Sequence, residues 1–171
     1  MMRLRIFKSK HNEEEQKYDE DNIPHGTKVL KELVIPWANT DRIVCADSYF
    51  TSVPDAEELW KHGLCFIGVI KTATQFFSMA YLSNIESQNR GDVSGLLTRP
   101  VDSTKPVLGD FFWMDRNRRY FIFTGVSMEK GWPYTRTRWR QDDSAPNAYP
   151  NMVELTIPQP ITAELYYSVC G

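Results

Sequence analysis

The spacing of apolar and polar positions changes several times along this chain, and each change marks an element. Met1-Met2-Arg3-Leu4-Arg5-Ile6-Phe7 alternates like a strand. Glu13, Glu14, Glu15, Asp19, Glu20 and Asp21 then form an acidic stretch, which predicts a solvated loop that turns at Ile23-Pro24-His25-Gly26. From Thr27 the apolar positions Val29, Leu30, Leu33 and Val34 fall at helical spacing until Pro36 stops them, predicting a short amphipathic helix docked beside the strand that follows. That strand is the apolar run from Ile43, which ends on one carboxylate, Asp47. Ser52 and Asp55 make a capping box, Pro54 sits in the first turn, and Ala56, Leu59 and Trp60 supply an apolar stripe before Gly63 closes the helix. Leu64 to Ile70 is continuously apolar and too short for a helix, so it predicts a buried strand parallel to the one bearing Asp47. Together these elements predict a right-handed βαβ unit.

Beyond Lys71 the periodicity weakens, and Asn84 to Arg99 looks like a loop rich in Ser, Gly, Asn and Asp. A hairpin is predicted from Phe111-Phe112-Trp113-Met114, the turn Asp115 to Arg118, and Tyr120 to Thr124. Met152 to Ile157 reads as extended, and Ala163 to Tyr166 as the start of a helix.

At 171 residues the chain suits one domain with a real core. Its 13% aromatic and 25% charged residues fit a globular protein, and no run of eighteen apolar residues could span a bilayer, so a soluble chain is expected. The N-terminus lacks the apolar core and cleavage site of a secretory signal. Cys45, Cys65 and Cys170 show no paired spacing, which argues against a disulfide framework or a zinc knuckle and for reduced thiols in an intracellular setting. A formal charge of −2 means that any contact with nucleic acid must come from local patches.

Two groups of residues are candidates for chemistry. Asp47 ends a buried strand, where carboxylates on neighbouring strand ends can hold magnesium ions for phosphoryl transfer; the structural alternative is that it orients the following turn through Ser48 or Thr51. The segment Trp132 to Arg140, if extended, puts Tyr134, Arg136, Arg138 and Arg140 on one face, suited either to phosphates or to a solvated edge that discourages strand pairing. Arg116, Arg118 and Arg119 at the hairpin turn either add to the same patch or, the favoured reading, are plain turn residues. The other acids, Asp41, Asp55, Asp92, Asp102, Asp110 and Asp115, fall in predicted turns, loops or helix starts. His11, His25 and His62 are too dispersed for a metal site, and no His lies near Ser48, Thr51 or Ser52 to activate a nucleophile.

Asp47-Ser48-Tyr49-Phe50-Thr51-Ser52-Val53-Pro54, followed by Phe66-Ile67-Gly68-Val69-Ile70-Lys71-Thr72, resembles the second aspartate block of piggyBac-type transposases. There a strand ends in an aspartate and leads through an aromatic pair into a Pro-started helix and a second strand closed by a basic residue. Gly26 to Trp37, Arg119 to Thr124, and Pro150 to Gly171 resemble the flanking parts of the family in the same order. The resemblance implies an α/β fold, a partial RNase H-like transposase core with an inserted β-hairpin, with core elements at 1–75 and 119–171 and the insertion at 76–118. It implies that Asp47 is the middle member of a catalytic aspartate triad and a ligand of Mg2+. It also implies DNA as a partner, with Lys71, Arg136, Arg138 and Arg140 the candidate contacts, the nucleus as the place of action, and association between copies of the chain.

On the same resemblance the family's first aspartate falls before Met1 and its last a few residues beyond Gly171. A two-metal site needs several oxygen ligands, so the chain as written is expected to be catalytically incomplete. The alternative reading is a domesticated, non-catalytic module that binds DNA or a protein. The strand bearing the first aspartate would flank the one bearing Asp47, which predicts an exposed sheet edge and a marginally stable domain.

Overall fold

The computed structural model describes residues 24–71, 74–98, 100, 102, 105–140 and 150–170. The alternating segment Met1 to Phe7 and the acidic stretch after it lie outside the described residues. The elements in order are α1 (His25–Val34), β1 (Ile43–Ala46), α2 (Val53–Lys61), β2 (Cys65–Ile70), α3 (Met79–Asn84), β3 (Val93–Leu97), β4 (Leu108–Met114), β5 (Arg118–Thr124), β6 (Tyr134–Arg140), β7 (Asn151–Ile157) and α4 (Ile161–Cys170). Five strands form one sheet in the order β1-β2-β5-β4-β3, and β6 and β7 form a separate two-stranded ribbon.

The β1–α2–β2 unit follows from its local signals. Ser52 is the N-cap of α2, and its hydroxyl oxygen accepts from the Asp55 amide at 3.2 Å. After α2 the chain reverses at Gly63, whose φ of 62° suits a residue without Cβ. The loop before β1 is tied to this reversal, with the amide of Asn39 donating to His62 O at 2.8 Å and that of Asp41 to Gly63 O at 3.0 Å. β1 and β2 thereby start side by side and run parallel, Ile43 opposite Cys65 and Ala46 opposite Gly68. The other three pairings are antiparallel, so the sheet is mostly so.

Side-chain alternation gives the sheet two apolar faces. Phe66, Ile70, Leu108, Phe112 and Ile122 point to the side covered by Leu30 of α1, Ala56 and Leu59 of α2, and Leu82 of α3. Ile67, Phe111, Trp113, Phe121 and Phe123 point to the side covered by Ile157, Ala163 and Tyr166. The result is a layered arrangement in which a mixed sheet is buried on both faces. On the second face Phe111 stacks on Phe121 with centroids 5.0 Å apart, and Trp113 reaches Tyr134 at 6.3 Å and Tyr167 at 5.9 Å, joining sheet, ribbon and α4.

Two sequence expectations are corrected. The stretch from Asn84 to Arg99 contains β3, which pairs with β4 from Val93 opposite Trp113 to Leu97 opposite Gly109; its Ser and Gly residues hid a strand that owes its existence to its neighbour. Asp110 is not a turn residue but lies buried within β4, where one carboxylate oxygen accepts from the Ser78 amide at 3.0 Å, just before α3. Burial pushes its carboxyl above the usual range. Helix α1 is tied to α2 through Thr27 to Asp55 and Lys31 to Glu58, and its Leu30 and Val34 share an apolar cluster with Val44 and Ala46 of β1.

Candidate active-site end of the sheet

Asp47 directly follows β1, so its side chain stands at the carboxyl end of the parallel pair, the place where α/β sheets present ligand-binding groups. It is exposed. Its Oδ1 accepts from the Tyr49 amide at 2.9 Å, and its backbone oxygen accepts from the Phe50 amide at 3.2 Å and the Thr51 hydroxyl at 2.5 Å. The carboxylate therefore does orient the turn, through the Tyr49 amide rather than through Ser48 or Thr51. One oxygen is engaged, and no described hydrogen bond occupies the other. Thr51 is buried because Gly68 leaves room for it: a Cβ built at Gly68 would meet Thr51 Oγ1 at 2.3 Å.

The last turn of α4 approaches from the other face. Burial, and after it the negative charge of Asp47, pushes the Cys170 thiol up, and the same charge adds to the upward shift that burial gives Tyr166. Cys45, one strand position from Ala46, is raised to about 11, first by burial and then by Cys170. Such thiols are poor nucleophiles at neutral pH, in keeping with a packing role for the half-buried Cys45, while Cys170 is exposed. Among the described residues no three His, Cys, Asp or Glu side chains stand together in a way that could hold a metal ion. Asp47 alone offers too few oxygens for a two-magnesium site, and the described residues do not fit that group by themselves.

Lys71 follows β2 and is exposed at the same end of the sheet as Asp47. The three arginines of the basic segment are not equivalent. Arg138 and Arg140 are exposed on the distal half of the ribbon, opposite Val153 and Asn151. Arg136, nearer the base, is paired with Asp115 and lies over the Tyr134 ring, 5.9 Å from its centroid. Arg118 is also committed: it donates to Leu82 O at 3.0 Å, Ser83 O at 2.8 Å and Ile85 O, closing the C-terminal end of α3, and lies 4.7 Å from the Phe112 ring centroid.

Sequence reasoning did not find the cleft that borders the turn after Asp47. It opens between the start of α1 and the start of α2, and Tyr49, Thr51, Ser52, Asp55 and Gln75 contribute to its walls. Its one legible signal was the adjacency of Tyr49 to the Asp47 turn.

The family model described as Transposase IS4 matches residues 1–155. Among solved structures the chain is similar to the piggyBac transposase seen by cryo-electron microscopy in a synaptic complex with hairpin DNA, at a TM-score of 0.56 and 16% identity, over 88% of this chain and 26% of that one. The chain thus spans about a quarter of that protein's length. At this identity the likeness concerns the fold. No curated protein matches the chain. Among the described residues no helix is long and apolar enough to cross a membrane.

Proposed function

The chain belongs to the Transposase IS4 family, and from that premise we propose that it is the Asp47-bearing part of a DNA transposase core of the piggyBac type, incomplete as a catalyst in itself. The observation that carries this reading is the placement of Asp47: an exposed carboxylate at the carboxyl end of a parallel strand pair, held by the Tyr49 amide with its second oxygen open. In this reading the parallel pair and α4 belong to an RNase H-like core, and 76–118 is an insertion whose strands extend the same sheet. Asp47 would contribute one oxygen ligand to a divalent metal such as Mg2+, and further acids would be needed to complete the set. The last turn of α4 runs towards Asp47, which supports this, since the resemblance places the family's third aspartate shortly after that helix. Bound metal would supply charge neutralisation at a phosphodiester. This chain's own part is to hold the Asp47 carboxylate rigidly, through the turn from Ala46 to Ser52.

DNA is the partner this reading requires, with the nucleus as the place of action and further copies of the chain as companions. Lys71, at the same end of the sheet as Asp47, and Arg138 and Arg140 on the ribbon are the cations that meet phosphates. A two-stranded ribbon is narrow enough to enter a major groove. The same surfaces serve the second reading, a DNA-binding module without catalysis.

The test is a gel assay of DNA nicking and strand transfer by the purified chain with Mg2+ or Mn2+, paired with binding to labelled duplex. Salt-sensitive binding without cleavage is expected. Metal-dependent cleavage that disappears in Asp47→Asn would overturn the incompleteness, and absence of any DNA binding would overturn the DNA-directed reading.

A further inference from the structure

The chain enters its described fold at Pro24, and it does so close to the turn after Asp47. Pro24 and Gly26 border the cleft there, and a Cβ built on Gly26 would stand 3.9 Å from the Tyr49 carbonyl oxygen. Just before Pro24, residues 13–21 hold six carboxylates and one lysine, a formal charge of −5, so the rest of the chain carries +3 where the whole carries −2. Asp21 is three positions from Pro24 and Glu13 is eleven. At about 3.5 Å per residue at most, these acids stay within roughly 10 to 40 Å of Pro24. Five strands about 4.8 Å apart make the end of the sheet only about 20 Å wide, so the whole of that end is within their reach.

That end of the sheet is basic. Lys71 follows β2, and the pairing of Ile70 with Tyr120 and of Met114 with Arg118 brings the turn between β4 and β5, with Arg116 in it and Arg119 just after it, to the same end. Arg90 joins them, since the next residue, Gly91, donates its amide to Met114 O at 2.7 Å. β6 passes Trp113 with Tyr134 and Asp115 with Arg136, so its continuation carries Arg138 and Arg140 beyond that turn. All six cations are exposed, and none is ion-paired among the described residues. Of the acids nearby, Asp115 is taken by Arg136, and Asp92 by the Ser87 hydroxyl at 3.1 Å and the Asn89 amide at 3.0 Å. Asp47 and Glu86 are left as exposed carboxylates against six cations.

We infer that the stretch from Glu13 to Asp21 occupies this basic end as an internal stand-in for phosphates and is displaced when DNA binds. This rests on the DNA-directed reading above and adds a control on it. A block of like charges commonly serves as an interaction tail, and here a surface of the opposite sign lies within the reach of its tether. A short tether holds such a tail at a millimolar effective concentration. Non-specific DNA sites have dissociation constants of about 10⁻⁴ to 10⁻⁶ M, so a tethered polyanion of similar intrinsic affinity lowers the apparent DNA affinity about 10-fold or more.

The experiment uses the full chain and a variant in which Glu13, Glu14, Glu15, Asp19, Glu20 and Asp21 become the corresponding amides. Binding to a labelled duplex is followed by anisotropy, and the amide variant should bind about 10-fold or more tightly at low salt, with the gain shrinking as salt rises and the unfolding midpoint unchanged. Contact is read separately with a carbodiimide, which joins a lysine amine to a carboxylate it touches. Peptide mass spectrometry of the monomer band should find Lys71 joined to the 13–21 stretch, and excess duplex should abolish that product. Lys71→Arg should lose the product and keep the affinity gain on amidation. Equal duplex affinity of the two chains would overturn the inference and leave the DNA-directed reading standing. An affinity gain without the Lys71 product would also overturn it, since diffuse repulsion then suffices, and a product found only between two chains would overturn the internal placement. No duplex binding by either chain would remove the DNA-directed reading together with the inference.

Discussion

Arg136 and Asp115 meet as a two-pronged ion pair: Nη1 donates to Oδ2 at 2.8 Å while Nη2 stands 2.6 Å from Oδ1. Both side chains are only 14% exposed, and the pair ties the base of the ribbon to the turn between β4 and β5. Removing one partner of a buried pair leaves the other charge uncompensated. Arg136→Ala should therefore cost about 3 kcal/mol in urea unfolding, whereas Arg138→Ala, at an exposed position, should stay within about 0.5 kcal/mol.

The same distinction governs nucleic-acid binding. Each phosphate contact adds about 0.9 to the log-log salt slope on duplex DNA. Arg138→Ala combined with Arg140→Ala should lower that slope by about 2, as measured by anisotropy across a salt series. Arg136→Ala, where it remains folded, should leave the slope unchanged, and an unaltered slope in the double variant would remove the ribbon from the interface.

Glu58 sets an acid limit on stability. It accepts from Lys31 Nζ at 2.8 Å and Lys61 Nζ at 3.0 Å, with His62 Nε2 at 3.4 Å. The Lys31 hydrogen bond is the main cause that draws its carboxyl from 4.5 down to about 2, against the opposing effect of burial. Because the folded value lies below the unfolded one, the contribution is full above about pH 4.5 and is lost as pH falls towards 2. The unsubstituted chain should lose more stability across this window than Glu58→Gln, which should already be weaker by about 2 kcal/mol at neutral pH. Parallel pH profiles of the two would disprove the linkage.

Thr51 and Gly68 share one small space. Gly68→Ala should cost about 2 kcal/mol through overpacking, because its new Cβ meets the Thr51 side chain. Pairing it with Thr51→Ala should recover part of that loss, a non-additivity that a double-mutant cycle measures. Strict additivity would show that the turn after Asp47 is not braced by this contact.

Among the described residues β1 pairs on one side only, with β2, and Ile43 at its start is 42% exposed. Open edges invite pairing between chains. We expect concentration-dependent association in sedimentation experiments, reduced by Ile43→Lys. A monomer with one sharp, reversible unfolding transition would contradict this expectation.

Local signals were enough for the elements whose chemistry is local. The Ser52–Asp55 cap, Gly63 and the continuous apolar run to Ile70 are each read from neighbours a few residues apart, and the structure has α2 and β2 where those signals place them. The parallel pairing of β1 and β2 follows as well, since a helix of this length joins strands that run the same way. The hairpin of β4 and β5 was legible from two aromatic runs around a polar turn. The family likeness was carried by the order of short motifs, above all Asp47 to Pro54 and Phe66 to Thr72.

What tertiary structure alone decided depends on residues far apart in sequence. β3 is a strand because β4 offers it a ladder; its own Val-Ser-Gly-Leu-Leu has no distinctive period. Asp110 and Arg118, which read as turn residues, serve α3 at its two ends across about thirty residues of chain. Arg136 looked equivalent to Arg138 and Arg140 because alternation along a strand puts them on one face; only the position of Asp115 in space makes one structural and leaves the others open. The cleft at Tyr49 likewise exists because two helix starts and the turn at Gln75 converge. Sequence determines what a residue's near neighbours can enforce through period, cap and turn, while the partner of a charge or the wall of a cleft is decided by chain segments that meet only once the sheet has formed.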